Sequence, residues 1–220
     1  MAAVYKAILA DPPWNESGGG KCKRGADRHY PLMKTSNIIN LLVKLLVCRY
    51  EDAGDGVLQG PVAPHFPVAD NAHLWLWVTN NYLPDGLAVM QALGFRYVTN
   101  VAWAKMTRLC PPHEHGPYAW RPQNPGLGQY LAGQHELLLF GVRGKLPALW
   151  KDKASGARRQ GTLICAPRGK HSAKPDAAYE VIENVSPGPR LELFARGEAR
   201  PGWDTWGNQA TTGEKEECYE

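Results

Sequence analysis

Asp11, Pro12, Pro13 and Trp14 follow directly on the apolar run Ala7-Ile8-Leu9-Ala10, which puts an acid, two prolines and an indole at the tip of a buried strand. A carboxylate accepts hydrogen bonds. Proline has no N–H of its own, so Pro12 turns its carbonyl outward as a second acceptor. Trp14 offers a flat ring on which a base can stack. Two acceptors beside a stacking plate suit a planar ring that carries an exocyclic amino group. The same four residues also read as a strand end and a proline turn, with Trp14 in the core.

The elements that must position this segment alternate in type. Residues 4–10 form a short apolar strand that has to stop pairing at the prolines. Residues 15–27 are Gly-rich and basic and read as a loop. Thr35-Ser36 offers an N-cap for a helix through Ile38, Ile39, Leu42, Leu45 and Leu46. Residues 51–70, with several Gly and Pro, look like an inserted loop, and residues 73–79 form a second buried strand. Pro84 opens a helix that runs to Leu93 and is stopped by Gly94.

Residues 97–105 make a third strand, followed by a long irregular stretch at 106–133, a length that usually marks a functional loop. Strands at 135–142 and 161–166, a helix at 175–183 and a last strand at 190–195 complete the pattern. Alternating strands and helices imply an α/β fold with a mostly parallel sheet and helices on both faces. We expect one domain over residues 1–210 and a polar tail at 211–220.

Bulk properties narrow the classes. The net charge of +4 over 220 residues permits nucleic-acid binding without demanding it. Cys22, Cys48, Cys110, Cys165 and Cys218 are odd in number and scattered, which suits free thiols in a reducing compartment. Cys110, His113 and His115 lack a regular ligand spacing, so no metal is expected. A secretory leader is not visible, and no apolar run approaches the roughly 18 residues of a membrane span. The expected location is the cytoplasm, without membrane association.

Six segments then appear in order: Asp11-Pro12-Pro13-Trp14, Tyr30-Pro31-Leu32-Met33, Leu74-Trp75-Leu76-Trp77-Val78-Thr79, His171-Ser172-Ala173-Lys174-Pro175-Asp176, Glu192-Leu193-Phe194-Ala195-Arg196 and Gly207-Asn208-Gln209. From about residue 8 to residue 209 the chain resembles the MT-A70 family of adenine-N6 methyltransferases. The resemblance implies a Rossmann-like fold with S-adenosyl-L-methionine at the strand ends, in a permuted order. It assigns Asp11, Pro12, Pro13 and Trp14 to the target adenine as catalytic residues. Asp11, Lys174, Glu192, Phe194, Arg196, Asn208 and Gln209 become cofactor-binding residues, and Tyr30 a loop residue lining the pocket. Gly197-Glu198-Ala199-Arg200 departs from the relatives' His-Asn pair, which leaves the ribose contacts there open.

Each assignment has a plainer counterpart. Glu192 could support the sheet, Arg196, Asn208 and Gln209 could cap loop carbonyls, and Lys174 could be a solvated lysine at a helix start. Trp75 and Trp77 read as core or pocket wall. Lys21, Lys23, Arg24 and Arg28 form a basic loop suited to substrate phosphates, with Arg158, Arg159, Arg168 and Lys170 as a second basic set. The expected reaction is methyl transfer to the 6-amino group of adenine, with DNA favoured over RNA. A homodimer or a heterodimer with a homologous subunit is the expected assembly. The rival readings are a non-catalytic nucleic-acid-binding partner of an active homologue and a methyltransferase for a small amine or protein side chain.

Overall fold

Strand β1 (Tyr5–Ala10) shows why the sheet forms where it does. In the computed structural model, which describes residues 3–15, 32–47, 65–108, 120–125, 130–169 and 173–210, Ala7, Ile8, Leu9 and Ala10 are each at most 2% exposed. A run apolar on both faces must be covered on both faces. β1 pairs in parallel with β2 (Val68–Val78) on one side and with β7 (Arg190–Leu193) on the other. Ala10 therefore lies across from both Leu76 and Leu193.

Alternation along β2 sorts its side chains between two cores. Leu74, Leu76 and Val78 join Ile8 in one; Trp75 and Trp77 join Leu9 in the other. Helices α1 (Thr35–Leu46) and α2 (Leu83–Ala92) cover the first core with Ile38, Leu42, Leu45, Val89 and Met90. Helix α3 (Asp176–Val185) covers the second with Ala178, Val181, Ile182 and Val185. Burying a side chain such as Leu42 or Ile182 contributes about 1.5–3 kcal/mol.

The full sheet runs β4 (Trp120–Pro122), β3 (Arg96–Arg108), β5 (His135–Arg143), β2, β1, β7 and β9 (Trp203–Trp206), with β6 (Leu163–Pro167) paired to β3. β4 and β5 run against the other strands, which are parallel to one another. β8 (Arg196–Gly197) and β10 (Gln209–Ala210) form a separate parallel ladder. The fold is thus α/β with a mostly parallel sheet between helices.

Several boundaries differ from the sequence expectations. Lys34, not Thr35 or Ser36, holds the N-cap position of α1, and the Thr35 hydroxyl instead donates to the Asp85 carboxylate in the first turn of α2. One acid thereby serves the positive ends of two helices. β2 begins at Val68 and β3 extends to Arg108, where it meets β4, so strand pairing takes residues from both expected loops. β7 stops at Leu193 because Phe194 has a φ of 62°, which ends the extended backbone. Gly94, at a φ of 74°, closes α2 as expected. No helix among the described residues is long and apolar enough to cross a membrane.

Candidate active site

Asp11 leaves the carboxyl end of β1 between two strands that the chain reaches in opposite directions. Helix α1 lies between β1 and β2 in sequence, on one face; α3 lies between β6 and β7, on the other. Such a switch point opens a crevice beyond the strand ends. Phe194 after β7 and Gly207 after β9 reach the same edge. β5 runs the other way, so its beginning, with Glu136, also lies there.

These ends carry a chain of alternating charges. Lys174, just before α3, places Nζ 2.9 Å from Asp11 Oδ2 and 3.3 Å from Glu136 Oε2. Lys105 Nζ lies 2.6 Å from Glu136 Oε1, and the Arg196 guanidinium 4.0 Å from Asp11 Oδ2. The two ammonium groups also sit over indoles, Lys174 at 5.3 Å from the Trp77 ring and Lys105 at 5.4 Å from that of Trp103. Burial alone would push the Lys174 ammonium down, but Asp11 and Glu136 more than offset it and hold it above the ordinary lysine range. Burial likewise favours a neutral Glu136, yet Lys174 and Lys105 draw its carboxyl below the usual range. Three cations and two carboxylates thus alternate across the strand ends, with the Glu192 carboxyl on the next strand within electrostatic reach of Asp11.

The Asp-Pro-Pro-Trp segment is locked rather than open. The Pro12 carbonyl accepts the Trp14 backbone N–H at 2.9 Å, so one of its two lone pairs is occupied, contrary to the wholly outward acceptor expected. The Pro13 carbonyl accepts the Met33 N–H at 2.8 Å. Trp14 is only 6% exposed; its Nε1–H donates to the Trp77 carbonyl at 2.9 Å and its ring stacks on Tyr82 at 5.5 Å. Of the two expectations for Trp14, a stacking face for a base and a core residue, the indole here takes its place in the core. Tyr82, half-buried with its hydroxyl on the Asn15 carbonyl, is the aromatic layered outside it.

The β7 end is equally specific. Glu192, across from Leu9 and Thr205, accepts the Tyr179 hydroxyl at 2.8 Å. Burial raises the Glu192 carboxyl above its ordinary range, the Tyr179 hydrogen bond opposes this, and the charge of Asp11 adds to it. Burial and then Glu192 hold the Tyr179 phenol protonated far into alkali. Arg200 covers the Tyr179 ring at 4.1 Å and pairs with Asp176.

Phe194 adopts a left-handed φ of 62°, costly for an aromatic residue and typical of strain kept at a functional site. Trp206 meets it edge-on at 6.1 Å. Gly207 lies so close to this turn that a Cβ would come within 2.6 Å of the Ala195 backbone N and O.

The structure therefore gathers Asp11, Lys174 and Arg196 directly, with Glu192 and Phe194 on the adjoining strand end. Gln209 reaches the same place through its backbone pairing with Arg196, and Asn208 is exposed just before it. Tyr30, Lys21, Lys23, Arg24 and Arg28 lie outside the described residues, as do Cys110, His113, His115 and Lys170. Sequence reasoning missed Glu136, Lys105, Tyr82 and Tyr179. The first two leave a faint signal, a charge at the end of one apolar strand and at the start of the next.

The MT-A70 family model matches residues 65–209. A type II methyltransferase, M.MunI of Mycoplasma sp, is 29% identical over 92% of this chain and 76% of its own length. The N(6)-adenosine-methyltransferase catalytic subunit METTL3 of Homo sapiens is 31% identical over 64% of this chain and 22% of its own. An N(6)-adenosine-methyltransferase MT-A70-like protein of Arabidopsis thaliana is 29% identical over 95% of this chain and 24% of its own. The chain thus spans about a quarter or less of the length of those two adenosine-methyltransferase relatives. With the family match running from residue 65 to residue 209, well over half of the chain, this protein belongs to the MT-A70 family.

Proposed function

We propose that this chain transfers a methyl group from S-adenosyl-L-methionine to the 6-amino group of adenine in nucleic acid, with Asp11 as the residue that holds the amine. Family and relatives together make it an adenine-N6 methyltransferase. The observation that carries the site assignment is the Asp11 carboxylate at the switch point, fixed on one oxygen by Lys174.

The adenine amine is a weak nucleophile because its lone pair is delocalised into the ring. Asp11, with the second lone pair of the Pro12 carbonyl, accepts the two amine hydrogens and turns the nitrogen lone pair out of conjugation. Lys174 and Arg196 meet Asp11 at Oδ2, which leaves Oδ1 as the natural acceptor for the amine. As the amine nitrogen takes the methyl group, which the donor sulfonium would release while leaving as a neutral thioether, the nitrogen becomes acidic and its proton passes to the carboxylate that already accepts it. Alignment of this kind supplies much of the rate in an in-line displacement. Tyr82, layered on the buried Trp14, is the aromatic placed to stack on a base that has left its strand.

The donor set fits the cofactor. The Lys174 ammonium and the Arg196 guanidinium suit a carboxylate; Glu192, Asn208 and Gln209 would partner ribose hydroxyls; and Phe194 with Arg196 borders the same crevice. Bound there, S-adenosyl-L-methionine supplies a methyl group activated by its sulfonium. Glu192 remains tied to Tyr179 in the structure, so its share in the ribose is secondary to its support of β7.

DNA is the favoured polynucleotide, because the type II methyltransferase is matched over far more of its own length than the adenosine methyltransferases. Labelled methyl transfer to duplex DNA, single-stranded DNA and RNA in parallel, read by nucleoside mass spectrometry, tests both points. Label in 6-methyladenine from DNA is expected. Label only in RNA would reverse the substrate preference, and label in no base would overturn the reading.

A further inference from the structure

Residues 150–159 carry a local excess of positive charge on a stretch that the reaction does not use. Lys151, Lys153, Arg158 and Arg159 are all exposed, while Asp152, the one carboxylate within residues 150–159, accepts the Ala154 backbone N–H at 2.9 Å. Four cations against one carboxylate give net +3 there. None of the four enters an ion pair among the described residues. Uncompensated like charges repel one another and favour any anion that can neutralise them.

The scaffold beneath them is fixed. Lys151 and Arg159 converge on the half-buried Trp150, at 5.8 and 5.5 Å from its ring. Ser155 Oγ lies 2.8 and 2.7 Å from the carbonyls of Leu149 and Asp152, closing the turn. The Arg158 backbone N–H donates to Asn184 Oδ1 on α3 at 3.2 Å, which ties the stretch to the helix that begins beside Lys174. Cations on a built surface lose little freedom when they meet a ligand, so they bind better than the same charges on a loose loop.

We propose that the face formed by Lys151, Lys153, Arg158 and Arg159 around Trp150 is a second, phosphate-binding surface that holds the nucleic-acid backbone away from the reacting adenine. The proposal rests on the nucleic-acid reading of the main site. Asn184 follows Lys174 by ten residues of mostly helical chain, about 15 Å along the axis. At about 3.4 Å per base pair, that reaches phosphates four or five base pairs from the target. Guanidinium and ammonium groups suit phosphate oxygens. A membrane surface is the other polyanion to weigh. Leu163, at 62% exposed, is the one large apolar side chain bordering the stretch among the described residues, too little to anchor it in a membrane.

The test compares wild type with Arg158→Ala/Arg159→Ala and with Arg158→Lys/Arg159→Lys, as full chains. Binding of a fluorescent duplex of about 24 base pairs is titrated against salt, and methyl transfer is followed on that duplex and on one ending about three base pairs from the target. For the alanine pair the expected result is roughly a tenfold loss of affinity for the long duplex and a salt slope shallower by about 1.8. The lysine pair should keep the slope, and transfer to the short duplex should be unchanged. Unaltered affinity and slope in the alanine pair would overturn the proposal. So would a loss confined to anionic phospholipid vesicles. If wild type transfers no methyl group while the slope still falls in the alanine pair, the reading of the main site fails and this surface stands.

Discussion

Lys174 Nζ stands between two carboxylates, 2.9 Å from Asp11 Oδ2 and 3.3 Å from Glu136 Oε2, so the residue beside the proposed amine acceptor is itself held by a second acid. Asp11 follows β1 and Glu136 lies in β5, two strands that do not pair with each other. The lysine is what couples them.

Glu136→Gln tests that coupling. The Glu136 carboxyl is drawn below its ordinary 4.5 in the folded chain, so its contribution is complete above that unfolded value and lost as pH falls through the lower folded one. Lys174 is raised above 10.5, so its contribution is lost only as pH rises past that value. At neutral pH the glutamine variant should be about 2–4 kcal/mol less stable by urea melts. The gap to wild type should be constant above about pH 4.5 and narrow as pH falls below it. A gap that stays constant below that pH would show that Glu136 acts by shape rather than charge.

His73 sets a second pH dependence, remote from the site. It is 1% exposed, with Nδ1 2.9 Å from Ser186 Oγ and Nε2 3.0 Å from the Leu146 carbonyl. Ser186 Oγ already accepts the Trp75 indole N–H, so its own hydrogen goes to Nδ1, and Nε2 carries the imidazole proton. Burial lowers the His73 pKa below 6.5, so its neutral form stabilises the fold above that value and stability falls as pH drops through 6.5. Melting temperatures between about pH 7.5 and pH 5 should fall in wild type and flatten in His73→Gln. Parallel curves would assign the acid loss to other groups.

Gly207→Ala should damage cofactor binding through the backbone. Its Cβ would meet the Ala195 backbone at 2.6 Å, beside the strained Phe194, where no flexible side chain can give way. A stability loss above about 2 kcal/mol is expected, with weaker cofactor binding by calorimetry. A well-folded variant of unchanged affinity would mean that this turn does not shape the crevice.

Much of this layout was legible in the sequence, for identifiable reasons. The apolar runs of β1 and β2 are buried on both faces, so composition alone marks them, and the helix spacing of Ile38, Leu42 and Leu45 announces α1. Asp11 and Lys174 stand at the ends of such elements. Glu136 and Lys105 did not announce themselves: strand pairing brings them together across 31 residues, and a charge at a strand end usually means only solvent. The burial of Trp14 depends on Tyr82 and the Trp77 carbonyl, which tertiary packing alone supplies. The β8–β10 ladder that seats Arg196 beside Gln209 has two residues on each side, too short for any periodicity.

The most direct measurement is single-turnover methyl transfer by Asp11→Asn beside wild type, with cofactor affinity measured by calorimetry on both. Asparagine keeps the shape but loses the charge and half of the acceptor capacity. Transfer should fall by about 10²–10³, and the cofactor dissociation constant should change by less than about tenfold. Near-normal transfer, or a loss explained entirely by weaker cofactor binding, would contradict Asp11 as the residue that holds the adenine amine.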